Sequence, residues 1–415
     1  MRITAAVAVA LLGAGAASVG AQQPRCAPGN AGLTVPDGFC ALIVADSLGR
    51  ARHLAVAPNG DVVVAVQSRD QGGGVWLLRD TNGDGVADRR ERLVNDPLAA
   101  DVQLLTAGSQ SWLYYSTYRE VIRQAWTPGQ LAVSGPPDTV ARDLGGARQH
   151  GIKTFVLGPP RRLIVNLGAP SNSCQRDDRQ ARSPGLDPCP LLDTAGGLWV
   201  FDAERPHQTR AQGHRLATGM RNTVALAIRP ADGQVYAGIH GRDLLGGNWG
   251  LSDSANAEKP AEVFVRVTEG ADFGWPYCYF DPGLGRYVMA PEYGGDGQAV
   301  GRCADKAPPL LAFPAHWAPD GLTFHSGIGV PDRYRGGAFL AFHGSWNRAP
   351  LPQDGFRIVF VPFAGAQPGR WEVFADGFQA LGSRPVDVAE GPDGSLFVSD
   401  DTGGRVYRIV PRAAR

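Results

Sequence analysis

The chain has 415 residues, 43% hydrophobic and 19% charged, and its 40 Lys+Arg balance its 40 Asp+Glu to a formal net charge of zero. Neutralising phosphates needs clustered cations, and no long basic stripe occurs, so nucleic acid is excluded as an expected partner. The 55 Gly and 32 Pro, without any long helical periodicity, predict an all-β chain of many short strands.

The chain opens MRITAAVAVALLGAGAASVGAQQ, with Arg2 before an apolar run that ends in small residues. This reads as a secretory leader over residues 1–21, cleaved after Ala21, with a retained membrane anchor as the alternative. No second segment is long enough to span a bilayer, so stable membrane insertion is not expected and the predicted location is periplasmic or secreted. Residues 22–40 read as an extended lead-in and 41–415 as one domain. In an exported chain six cysteines suggest disulfides. Fifteen pairings are possible; the simplest joins sequence neighbours, Cys26–Cys40, Cys174–Cys189 and Cys278–Cys303. There is no Cys-x-x-Cys pair, and the Cys-x-x-Cys-His run for attached haem is absent.

A hairpin cassette then recurs. Residues 52–66 read RHLAVAPNGDVVVAV, 226–239 read LAIRPADGQVYAGI and 386–399 read VDVAEGPDGSLFVS, with a weaker copy, FVLGPPRRLIVNL, at 155–167. Period-two apolar alternation predicts strands, and the Pro/Gly pair between them predicts tight reversals. Repetition of this unit predicts a β-propeller. Six blades of about 65 residues suit the mature length, with seven as the fallback. The segment 41–45 is expected to pair with 405–410 and close the ring, removing exposed edges. Two long insertions, about 169–197 and 241–319, interrupt the repeat; their cysteines and aromatics (Trp249, Trp275, Tyr277, Tyr279) predict ordered rims around a site.

Residues 80–91, DTNGDGVADRRE, match the twelve-residue calcium-loop pattern, with Asp80, Asn82, Asp84, Asp88 and Glu91 at ligand positions and Gly85 at the bend. Strand-like flanks make this a hairpin rather than a helix–loop–helix, and an acidic hairpin tip is the alternative. Any calcium here would be structural.

Candidate chemistry begins at His150, in GARQHGIKT before a strand, where a neutral imidazole would serve as general base or simply bond locally. Arg221 and Asn222, in GMRN, precede a clear cassette and are expected at the mouth of that blade. Arg348, in FHGSWNR, and Arg384, in GSRPVD, begin later blades and are expected to face Arg221 across the axis. A polyanionic ligand would hold three such guanidiniums together. In ADFGWPYCY the Gly-Trp-Pro bend leaves backbone carbonyls that suit a hard cation.

In order and spacing, GMRN, Glu262 upstream of GWPY, HGSWNR and the final RPVDV…PDGSLFVSDD resemble the glucose/sorbosone dehydrogenase family, from about residue 35 to 409. The resemblance implies an exported six-bladed propeller that transfers hydride from an aldose or aldehyde sugar to pyrroloquinoline quinone, with an external electron acceptor. It implies His150 as the base, Arg221, Asn222, Arg384 and Arg348 around the quinone, and a calcium ion held by carbonyls of Gly274, Trp275 and Pro276 with Glu262 nearby. Gln149, Asn347–Arg348 and Val386 depart from the glucose-oxidising branch and fit the sorbosone-like one. The competing expectations are a calcium-dependent lactonase, which needs carboxylates meeting at the axis, and a non-catalytic binding module.

Overall fold

Alternating side chains with a Pro-x-Gly reversal make each cassette an antiparallel pair, and each pair opens a four-stranded blade. In a computed structural model, residues 24–68, 72–107, 109–146 and 149–412 are described; the predicted leader lies outside them. Blade 1 runs outward through Arg50–Val56, Val62–Gln67, Gly74–Arg79 and Arg89–Val94. Blade 2 starts at Asp101–Ala107, blade 3 at Phe155–Gly158, blade 4 at Ala225–Ile228, blade 5 at Pro319–Phe324 and blade 6 at Pro385–Glu390. The six first strands surround the axis.

The core lies between blades, which explains why the second strands read as unbroken apolar runs. In blade 1, Val62, Val64 and Val66 pack toward blade 6, against Leu42 and Val44, while Val63 and Ala65 pack toward blade 2, against Val102 and Leu113. A strand buried on both faces has no polar side, so alternation sorts side chains between two apolar interfaces. Every neighbouring pair of blades shares such a cluster; that between blades 5 and 6 is the richest in aromatics, with Phe39, Tyr334, Phe339, Phe360 and Phe374.

Ring closure is as expected, with one shift of boundary. The strand Phe39–Ala45 is the outer strand of blade 6, antiparallel to Arg405–Pro411, with Leu42 opposite Arg408. It begins inside the predicted lead-in because Phe39 completes the aromatic cluster. The second insertion is shorter than 241–319 suggested, since Glu262–Val267 and Leu311–Phe313 are the third and fourth strands of blade 4. Between them runs an added hairpin, Cys278–Asp281 with Arg286–Met289. All three disulfides join sequence neighbours: Cys26–Cys40, Cys174–Cys189 and Cys278–Cys303. Among the described residues no helix is long and apolar enough to cross a membrane.

Candidate active site

Antiparallel order within a blade puts the entry to its first strand and the exit from its second at the same end. Side chains from these two places converge on a cavity of about 390 Å³ at one end of the axis. Entries contribute Arg52, His150, Arg221, Asn222, Asp320 and Arg384; second-strand exits contribute Tyr118, His240, Asp243 and His343. Thus His150, Arg221, Asn222, Glu262 and Arg384 of the predicted set line one cavity.

His150 has φ 56°, a left-handed backbone unusual for a residue with a side chain. Its Nδ1 meets the carbonyl oxygen of Ala169. A carbonyl only accepts, so Nδ1 carries the hydrogen and Nε2 the lone pair. Burial, reinforced by the Arg221 charge, lowers the ring's pKa well below the ordinary 6.5. The imidazole is therefore neutral and basic at Nε2.

Arg221 is buried and anchored at each of its three nitrogens. Its Nε donates to the Asn172 carbonyl at 3.2 Å, Nη1 to the Gly241 carbonyl at 2.8 Å, and Nη2 to Asn172 Oδ1 at 3.0 Å and Asp243 Oδ2 at 2.7 Å. Asp243 also accepts from Arg179 at 3.1 Å and from Asn347 Nδ2 at 3.0 Å. Burial pushes this carboxyl up, but Arg221 and Arg179 outweigh it and hold it at about 2. The expectation that the axial arginines need a bound anion is thus corrected in part: Asp243 supplies a counter-charge for Arg221.

Arg384 uses Nε on the His343 carbonyl, at 3.0 Å, and Nη2 on that of Gly344. Arg52 pairs with Asp401 at 2.7 Å and lies 3.7 Å from Asp320, and its buried Nε has no partner among the described residues. His240 Nε2 lies 3.1 Å from Asp320 Oδ1. Burial would lower the His240 pKa, yet this contact raises it, while Asp320, pushed up by burial, is held at about 2 by His240, His343 and Arg52. The pair is ionic.

Three expectations meet corrections. Arg348 is not at the cavity, because its guanidinium donates to the carbonyls of Ala257 and Pro352. The Gly274–Trp275–Pro276 bend and Glu262 are not brought together. The Gly274 carbonyl accepts from Cys278 N at 2.9 Å, Trp275 N donates to the Gly219 carbonyl at 3.0 Å, and the indole donates to the Asn172 carbonyl at 2.9 Å. The bend therefore buttresses the Asn172 loop from behind. Glu262 lines the cavity, with Oε2 accepting from Gly241 N at 2.9 Å. In the loop 80–91 the oxygens turn inward: Asp80 accepts from Gly83 N and Gly85 N, each at 2.7 Å, Asn82 and Asp84 accept from Asp84 N and Val86 N, Asp88 binds Thr81, and Glu91 pairs with Arg89. This hairpin joins the third and fourth strands of blade 1, at the far end from His150. Among the described residues no group of three or more His, Cys, Asp or Glu is arranged to hold a metal.

Sequence reasoning missed Arg52, Arg179, His240, Asp243, Asp320 and His343. A signal existed: blade 4 leaves its second strand as Ile239-His240-Gly241 and blade 5 as Phe342-His343-Gly344. Aligning the two exits marks His240 beside the noted FHGSWNR motif.

Six blades around a charged axial cavity define a β-propeller with one polar, concave site. The sequence profile of the TrAA12-like family matches residues 33–412, and the chain belongs to that family. Among curated proteins it is similar to an uncharacterized protein of Borreliella burgdorferi, 30% identical over 47% of this chain and 48% of that protein. It is also similar to the pyrroloquinoline quinone-dependent pyranose dehydrogenase of Coprinopsis cinerea, 29% identical over 48% of this chain. The matches span about half of the first relative and 31% of the second. Among solved structures, the Trichoderma reesei AA12 enzyme in its iodide form has TM-score 0.75 and 21% identity, covering 92% of this chain and 98% of that one. The holo quinone domain of the Coprinopsis cinerea pyranose dehydrogenase has TM-score 0.72 and 20% identity, covering 94% and 99%. These two likenesses are of fold.

Proposed function

We propose that this chain is an exported quinoprotein that oxidises an aldose or aldehyde sugar, sorbosone-like in type, with pyrroloquinoline quinone and an external electron acceptor. One observation carries the reading: four guanidiniums, Arg52, Arg179, Arg221 and Arg384, meet a neutral imidazole on one cavity, its lone pair at Nε2. Family membership and the named relatives support it. A cavity of about 390 Å³ falls within the size range of ligand pockets. The buried Arg52 Nε, a donor without a partner among the described residues, fits a carboxylate better than an apolar ligand. Arg52, Arg179, Arg221 and Arg384 would hold its carboxylates, with the amides of Asn222 and Asn347 at its edge. When bound, the quinone supplies a hydride acceptor.

The chain's own part is positional and protolytic. Asp243 fixes Arg221, Arg179 and Asn347 in one array. Nε2 of His150 takes the proton from the sugar hydroxyl that is being oxidised. Trp346, 57% exposed at the mouth, offers an aromatic face to the sugar ring. For calcium the axial donors fit poorly, because Asp243, Asp320 and Glu262 already serve cations or backbone N–H groups, and no step is derived through it. The same engagement disfavours a lactonase, which needs those carboxylates free. Convergence of His150, Arg221 and Arg384 on one cavity disfavours a non-catalytic binding module.

The test is a titration of purified protein with the quinone, followed by assays with candidate aldoses and an artificial dye. Quinone binding and sugar-dependent dye reduction are expected; no binding and no reduction with any sugar refute the proposal.

A further inference from the structure

The second strand of blade 3, Arg162–Leu167, exits into Gly168 and Ala169, and this two-residue turn touches both halves of the candidate site. Ala169 accepts from His150 Nδ1 through its carbonyl, and its N–H donates to the Arg221 carbonyl at 2.8 Å. Gly168 lies between His150 and Asn222. A Cβ on Gly168 would stand 2.6 Å from the His150 carbonyl oxygen, 2.7 Å from His150 Cβ and 3.0 Å from Asn222 Oδ1. The first two distances lie below any ordinary contact, and the atoms met are backbone oxygen and Cβ rather than the end of a flexible side chain. Gly168 does not have a positive φ. Its backbone suits any residue, so what the site requires is the empty volume, not glycine's conformational freedom. His150, by contrast, is itself in the left-handed region, a conformation that persists only where neighbours over-determine it.

We propose that Gly168 is a positioning residue: the missing side chain lets the Gly168–Ala169 turn sit against His150, so that one backbone carbonyl sets the tautomer and direction of the base. Among the described residues no carboxylate accepts from this imidazole; the backbone does that work. The inference deepens the function proposed above and rests on it for its kinetic part, while its structural part stands alone.

The experiment compares wild type with Gly168→Ala by ¹⁵N NMR of the histidine rings, with His150 assigned through His150→Gln. Wild type is expected to show His150 as the Nδ1–H tautomer, and Gly168→Ala to lose that signal while other histidines keep theirs. In sugar oxidation the variant's kcat should fall about 10²-fold or more, with KM and quinone Kd within about threefold. A generally loosened structure would move all of these, and the other rings, together. A wild-type ring protonated at Nε2, or a variant with an unchanged His150 signal and kcat within twofold, overturns the proposal. If Gly168→Ala does not fold, the wild-type tautomer decides. Failure of wild type to bind the quinone counts against the function and leaves the ring measurement standing.

Discussion

His150 and Asp243 illustrate two uses of burial. Burial and a neighbouring guanidinium keep His150 unprotonated, so its charged form appears only at low pH. The acid limb of kcat/KM, which reports the free enzyme's base, is therefore expected below pH 6.5. His150→Ala should lose about 10²–10⁴ in turnover while quinone binding, measured by titration, stays. Asp243 is the opposite case: burial alone would neutralise it, yet Arg221 and Arg179 keep it ionised down to about pH 2. Asp243→Asn leaves both guanidiniums without their counter-charge, and a cost of about 3–5 kcal/mol is expected in urea unfolding. The sign of its pH dependence follows from linkage. A carboxyl with a depressed folded pKa stabilises above its unfolded value near 3.8 and loses that contribution as pH falls through about 2. The gap between wild type and variant should therefore be full at pH 6 and shrink between pH 4 and 2.

The two insertions do more than surround the site. Cys174–Cys189 staples the loop that presents Asn172 to Arg221, whereas Cys26–Cys40 ties the lead-in to the closing strand. The loops closed are nearly equal, 15 and 14 residues, so each bridge should contribute about 3 kcal/mol. Replacing both cysteines by serine in either pair should thus lower Tm comparably. Quinone affinity should drop only for the Cys174/Cys189 pair. At the far end, the ligand-position oxygens of the 80–91 hairpin are taken up within the hairpin itself, so millimolar calcium is expected to leave Tm unchanged in wild type and in Asp84→Ala alike. Strands and reversals were legible because alternation and Pro-x-Gly turns are local. Arg221, Asn222 and Arg384 were legible because each precedes a strong cassette. Arg52, Asp243 and Asp320 were not, because nothing in a single strand distinguishes an axial charge from a solvated one. The Gly-Trp-Pro bend misled for a related reason: sequence shows that its carbonyls leave the ladder, but not that Cys278 N takes one of them.

At the scale of the whole molecule, one arrangement decides how the rest behaves. Blade 6 takes three strands from the C-terminal part of the chain and its outer strand from Phe39–Ala45. Deleting residues 405–415 should leave that strand without its partner and bare one edge of the second strand of blade 6, and the product is expected to aggregate rather than merely melt earlier. Light scattering after refolding checks this. Five blades can assemble from near neighbours in sequence, but the last joint waits for residues separated by almost the entire polypeptide, and such distant pairing is slow. Until it forms, the molecule is an open horseshoe whose two lips, Leu42 and Val44 with Val62 and Val64 on one side and Phe397 and Val406 on the other, are both apolar. Lips that match each other within one chain also match those of a second copy, so concentrated refolding favours exchanged pairs, and dilution favours the closed ring.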